Sequence, residues 1–170
     1  RAAAERVTHT MLVPVQYRRL LDHPDFDRFD LSSLLVKYCT SAPFSAEQKR
    51  AVLDRMPGGL IEIYGMTEGG VACMLLAHEH PDKLHTVGQP APGHSLKVLG
   101  EDGCELPPGQ AGELVGRSAA MMLGYWQRPD LTAETIRDGW MYTGDVATWD
   151  EDGYIFIVDR AKDMINSGGE

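Results

Sequence analysis

The sequence predicts an α/β fold with two textures, part of a parallel-sheet α/β layer followed by a small antiparallel barrel or sandwich. Three observations predict it. Strand and helix patterns alternate from Val7 to about Leu76. Beyond Pro81 the pattern changes to short strands separated by turns rich in Gly and Pro. The run Asp150-Glu151-Asp152-Gly153 separates two apolar runs, Val146 to Trp149 and Tyr154 to Val158, which is a hairpin signal.

Each element has a local reason. Pro14 suits the first turn of a helix in which Tyr17, Leu20 and Leu21 share a face, and His23-Pro24 ends it. Leu34-Leu35-Val36-Lys37-Tyr38-Cys39 reads as a mostly buried strand. Ser45 and Gln48 form a capping-box pattern, opening a helix through Val52, Leu53 and Met56 that Pro57-Gly58-Gly59 stops. Leu60-Ile61-Glu62-Ile63-Tyr64 is the next strand, and strand, helix, strand at this spacing implies a parallel βαβ layer. Ser95 to Leu99 and Glu113 to Arg117 read as antiparallel strands. Between them lie the turns Glu101-Asp102-Gly103 and Pro107-Pro108-Gly109. A short helix is expected over Leu131 to Ile136.

Composition narrows the function classes. With 170 residues and 43% hydrophobic content, the chain can bury one sizeable core or two small ones. A formal net charge of −9 argues against a nucleic-acid footprint, which needs clustered Lys and Arg. An anionic ligand must therefore be held by local donors or a metal ion. Cys39, Cys73 and Cys104 are odd in number and lack Cys-x-x-Cys spacing, so neither a disulfide framework nor a zinc site is indicated, and a reducing, cytoplasmic compartment is the simplest reading. No apolar run approaches the roughly 20 residues of a transmembrane span, and no signal-peptide layout opens the chain.

The segment Tyr64-Gly65-Met66-Thr67-Glu68, at the end of a strand and followed by Gly69-Gly70, carries the most chemistry. A strand running into a glycine corner exposes its last side chains and backbone N–H groups at the carboxyl edge of the sheet, where open α/β sheets bind ligands. Thr67 offers a hydroxyl to a phosphate oxygen and Glu68 a carboxylate to a cation, a pairing that suits Mg-nucleotide chemistry. Alone, the run reads more readily as an ordinary turn with a solvated acid.

Downstream stand Gly112-Glu113-Leu114, Gly124-Tyr125-Trp126, Gly139-Trp140-Met141-Tyr142-Thr143-Gly144-Asp145 and Asp159-Arg160-Ala161-Lys162-Asp163-Met164-Ile165-Asn166-Ser167-Gly168-Gly169-Glu170. In this order and spacing the motifs resemble the adenylate-forming (AMP-binding) superfamily, closest to its fatty-acid and aryl-acid CoA ligases. The resemblance runs from about Val13 to the end. It implies that residues 1–84 are the last part of an α/β subdomain, residues 85–159 a small antiparallel distorted β-barrel, and residues 160–170 a hinge with the start of a further domain. It also implies a carboxylic acid, ATP and coenzyme A as substrates, Mg²⁺ as cofactor, and AMP as product. By resemblance, Thr67 hydrogen-bonds the α-phosphate, Glu68 helps hold Mg²⁺, Tyr64 stacks on adenine, and Gly65 is part of the same nucleotide-binding segment. Asp145 binds the ribose with Arg160 as its partner, and Lys162 is the hinge, at a position where many relatives carry Asp. Ser167-Gly168-Gly169 would be a loop that swings toward the thiol.

Thr40-Ser41-Ala42-Pro43 matches a small-residue loop lining the adenine and acyl pockets, although relatives usually carry Gly where Thr40 or Ser41 stands here. Gly69, Gly70 and Val71 read equally well as space for an acyl tail or as a tight turn into a buried strand. Other features are set aside. His78-Glu79-His80 lacks a clear third ligand, Asp150-x-Asp152-Gly153 lacks the later Glu of a calcium loop, Met121-Met122-Leu123 reads as core packing, and no Cys sits beside a base.

No phosphate loop with its Lys and no carboxy-terminal catalytic Lys occur in the sequence. The expectation is a piece of a larger enzyme that turns over nothing measurable alone. Two enzyme rivals share the resemblance: an amino-acid-adenylating domain that loads a carrier protein, against which Met66 counts because such relatives generally show Pro there, and a luciferase-like monooxygenase. A non-catalytic nucleotide-binding module is the rival from another class.

Overall fold

A computed structural model of the chain describes residues 1–160, with Asp159 and Arg160 described by their backbone alone. The expected hinge at Lys162 and the loop Ser167-Gly168-Gly169 lie outside the described residues. The chain divides into two compact units: Arg1–Tyr64 with Met74–Thr86, and Gly65–Cys73 with the described residues from Val87 onward.

The first unit is built on parallel pairing. Strand β1 (His9–Leu12), helix α1 (Pro14–Leu21), strand β2 (Val36–Cys39), helix α2 (Ala46–Arg55) and strand β3 (Gly59–Gly65) follow in order, with β4 (Ala72–Leu76) next. β1 pairs with β2, His9 opposite Val36, and β2 pairs with β3, Val36 opposite Gly59 and Cys39 opposite Glu62. The predicted βαβ layer is therefore present, and β1-α1-β2 adds a second such step. Pro14 sits in the first turn of α1, where a missing N–H leaves no bond unmade. Tyr17 is buried on the inner face of α1 and its hydroxyl donates to the Tyr38 carbonyl at 2.8 Å, joining helix to sheet. Burial pushes that phenol far above its ordinary titration range. Ser45 caps α2 as expected. Its Oγ accepts from the Gln48 N–H at 3.2 Å, while its own N–H donates to Gln48 Oε1 at 3.3 Å. Leu34, Phe44, Val52, Met56, Leu60 and Leu75 fill the core.

Two lysines lie inside this core. Lys37 on β2 is 0% exposed, and its Nζ donates to the carbonyls of Met56 at 3.2 Å and of Pro57 and Gly58 at 2.6 Å each, closing the end of α2. Lys49 on α2 is 1% exposed; its Nζ contacts the buried Glu62 carboxylate of β3 and donates to the Leu84 and Thr86 carbonyls at 2.8 Å each. Burial pushes the Glu62 carboxyl up to about 7, against the downward pull of the Lys49 charge.

The second unit is antiparallel. After β5 (Gln89–Pro90) come β6 (His94–Leu99), β7 (Gly112–Ser118), helix α3 (Pro129–Thr135), β8 (Ile136–Arg137), β9 (Trp140–Trp149) and β10 (Ile155–Arg160). They form a curled half-barrel in the order β10-β9-β7-β6, with β8 also on β9. The hairpin between β9 and β10 is closed by Asp150, whose carboxylate accepts from the N–H groups of Asp152 at 3.0 Å and Tyr154 at 2.9 Å. Val71, Val98, Leu114, Val115, Met141 and Ile155 form the core of this unit.

Three expectations are corrected. Helix α3 begins at Pro129 and ends at Thr135, because proline takes a first-turn position and Ile136 already pairs with Met141 in β8. The run expected to start at Val146, directly after Asp145, begins earlier, at Trp140, so Asp145 lies within β9. Met121-Met122-Leu123 is not core packing: the Met122 N–H donates to the Glu68 carbonyl at 2.7 Å, and Leu123 is fully exposed. No helix among the described residues is long and apolar enough to cross a membrane.

Candidate functional site

In the first unit, parallel register brings two of the expected segments to one edge. Cys39 ends β2 directly opposite Glu62 of β3, so Thr40-Ser41-Ala42-Pro43 leaves the carboxyl end of β2 beside the carboxyl end of β3, where Tyr64 stands. Ser41 occupies the left-handed region at φ 76°. That conformation favours glycine, so Ser41 holds the turn at a cost in strain. Ser41→Gly is therefore expected to stabilise the protein by about 0.5–1 kcal/mol, the relief of strain exceeding the entropy that glycine adds to the unfolded chain. A shift of the urea midpoint to higher concentration checks it; an unchanged or lower midpoint contradicts it.

In the second unit, the turn carrying Thr67 and Glu68 is fixed to the segment Ser118–Tyr125. The Tyr125 hydroxyl donates to Glu68 Oε1 at 2.7 Å, the Met122 N–H to the Glu68 carbonyl at 2.7 Å, and Ser118 Oγ to the Gly69 carbonyl at 2.6 Å. The bond to the Glu68 carboxylate is the first cause of a raised Tyr125 phenol pKa. Gly69 has φ 77°, and a β-carbon there would lie 2.3 Å from the Ala120 carbonyl oxygen, so only glycine fits. The equivalent atom at Gly70 would lie 2.6 Å from the Met141 side chain. Val71 is 1% exposed. These positions thus serve close packing of the turn onto β7 and β9, while the Thr67 side chain stays exposed.

Asp145 lies on the same strand as Met141, roughly 13 Å or less along β9 at ordinary strand rise. It is 5% exposed and stands opposite Arg160 in the pairing of β9 with β10, so backbone register alone brings the two expected ribose partners together. The local backbone is a bulge. Glu113 of β7 faces Val146 and Val115 faces Tyr142, which leaves Thr143, Gly144 and Asp145 against Leu114 alone. Thr143 Oγ1 donates to the Leu114 carbonyl at 2.7 Å and accepts from the Asp145 N–H at 3.0 Å. The Gly144 N–H, at φ 70°, donates to Glu113 Oε1 at 3.1 Å.

Sequence reasoning singled out the motifs holding Tyr125, Glu113 and Thr143 but gave these residues no part. Only the hydrogen bonds, made across many intervening residues, reveal one. Among the described residues no cluster of three metal-ligating groups occurs, so any cation at Glu68 would take most of its ligands from a substrate.

The family model described as AMP-binding enzyme matches residues 2–126. Feruloyl-CoA synthase of an Amycolatopsis species is 44% identical over 169 residues, covering 98% of this chain and 34% of that protein. The long-chain-fatty-acid–CoA ligase of Salmonella typhimurium is 39% identical over 153 residues, covering 90% of this chain and 27% of the ligase. The solved structure of the anthranilate CoA ligase AuaEII in complex with anthranoyl-AMP superposes with a TM-score of 0.84 at 27% identity, over 99% of this chain and 32% of that one. The chain spans about a third of the length of the relatives it matches.

Proposed function

The chain belongs to the AMP-binding enzyme family, and from that premise we propose that it is part of an acyl-CoA synthetase. A carboxylate oxygen of the acid attacks the α-phosphorus of ATP, the bond to pyrophosphate breaks, and an acyl-adenylate remains. The thiolate of coenzyme A then attacks the acyl carbonyl and AMP leaves, the thiol proton passing to solvent. Negative charge gathers on the phosphoryl oxygens in the first step, and stabilising it is most of the work. The exposed Thr67 hydroxyl donates to an α-phosphate oxygen. Glu68, its carboxylate held by Tyr125, would be the protein's oxygen ligand for Mg²⁺, which would supply positive charge beside the phosphates; a hard carboxylate fits that ion. Tyr64 and Thr40–Pro43 take the adenine side, and Asp145 with Arg160 takes the ribose. Asp145 is almost fully covered, so its cover must open as a nucleotide enters. Lys162 is the hinge between the two steps.

The observation that carries this reading is that the Thr67–Glu68 turn packs onto β9, the strand that holds Asp145. Acid-dependent exchange of labelled pyrophosphate into ATP, measured on the protein carrying this chain with aryl, medium-chain and long-chain acids, tests it. Exchange is expected with at least one class, and Thr67→Val is expected to lower it about a hundredfold, the scale for losing one donor to developing charge. No exchange with any acid, or full exchange in the variant, contradicts the reading.

A further inference from the structure

We infer that Glu113 and Thr143 are positioning residues for Asp145: together they hold the β9 bulge that sets the carboxylate for a nucleotide ribose. The inference rests on the ribose reading of Asp145 and goes beyond it by naming what fixes the carboxylate.

A bulge of this size removes backbone groups from the ladder, and each must find another partner or cost stability. With three residues of β9 against Leu114 alone, the Gly144 and Asp145 N–H groups and the Leu114 carbonyl are the ones at risk. Two side chains serve all three. Thr143 Oγ1 acts in both senses, donating to the Leu114 carbonyl and accepting from the Asp145 N–H, which an aliphatic side chain of the same shape cannot do. Glu113 accepts from the Gly144 N–H across the strand pair. The other neighbour of Asp145 is irregular at the same level: the pairing of β9 with β10 shifts between Ile157 and Asp159, and the shift is what places Arg160 opposite Asp145.

A sheet needing only to be stable would keep a regular ladder here. Departures on both flanks of one nearly buried carboxylate, with a dedicated hydroxyl and a dedicated carboxylate holding one of them, point to a backbone shaped for the position of that group.

The test compares ATP with 2′,3′-dideoxy-ATP, which lacks both ribose hydroxyls, by equilibrium titration of the protein carrying this chain. Wild type is expected to prefer ATP by tenfold or more, the scale of hydrogen bonds to a charged acceptor. Thr143→Val is expected to lose about tenfold in ATP affinity with little change for the dideoxy nucleotide, so that the preference collapses. Thr143→Ser, which keeps the hydroxyl, is expected to retain it. Glu113→Gln, milder because an acceptor oxygen remains, provides a second variant if Thr143→Val does not fold. Equal loss for both nucleotides, or a preference kept in Thr143→Val and Glu113→Gln alike, overturns the positioning role. If wild type itself binds both nucleotides equally, the ribose reading of Asp145 fails first and the inference with it.

Discussion

Lys49→Met is expected to destabilise the protein by about 3–5 kcal/mol, the cost of leaving one partner of a buried ion pair uncompensated. Lys49 and Glu62 are both almost fully enclosed, and the ammonium also donates to the Leu84 and Thr86 carbonyls. Methionine fills the volume but leaves the carboxylate and two carbonyls without their donor. The loss should depend on pH with a definite sign. Burial already raises Glu62 from its ordinary 4.5 to about 7, and the Lys49 charge is what restrains it. A carboxyl whose folded pKa lies above its unfolded value takes up a proton on folding, so its contribution is most favourable below about 4.5 and is lost as pH rises through about 7. The variant raises the carboxyl further, so its deficit should be smaller near pH 5 than near pH 8. Adding Glu62→Leu removes the stranded carboxylate and should recover part of the loss, the remainder belonging to the two carbonyls. Urea unfolding at both pH values checks it. An equal deficit at both, or a double variant less stable than Lys49→Met, contradicts the account.

What the sequence made legible follows the range of the interactions. The capping box at Ser45, the proline at the start of α1, the βαβ spacing and the Asp150–Gly153 hairpin are settled within a few residues, and they appear where the pattern puts them. The turn at Thr67–Glu68 and the motif at Asp145 were likewise readable as residue types in order. What holds them was not. Tyr125 reaches Glu68 across 57 positions and Glu113 reaches Gly144 across 31, contacts that no local period encodes. The bulge within β9 depends on β7, so a reading of β9 alone starts the strand at Val146 and not at Trp140. Leu123 misled for the same reason: an apolar run implies a core, but the bond from the Met122 N–H to the Glu68 carbonyl commits the backbone to holding the turn and leaves Leu123 outside.

Lys37 shows the same limit, and its burial carries the second large expectation. The strand was legible as mostly buried but the partners of its lysine were not: Lys37 lies among the carbonyls of Met56, Pro57 and Gly58 and ends α2 with three hydrogen bonds. Lys37→Met is expected to destabilise by about 2–3 kcal/mol near pH 7, because the enclosed Met56 carbonyl loses its donor while the relief of burying no charge offsets only part. The pH dependence runs opposite to that of Glu62. Burial lowers Lys37 from 10.5 to about 8, so between those values the unfolded chain binds more protons than the folded one and wild-type stability rises with pH. Methionine has no proton to lose, so the gap between wild type and variant should widen as pH climbs through that window, the uncharged amine keeping two of its donors at no cost of ionisation. Denaturant unfolding of both proteins from about pH 7 to about pH 10 measures it. A gap that narrows over that range would mean that the ammonium, and not the burial opposing it, dominates the site.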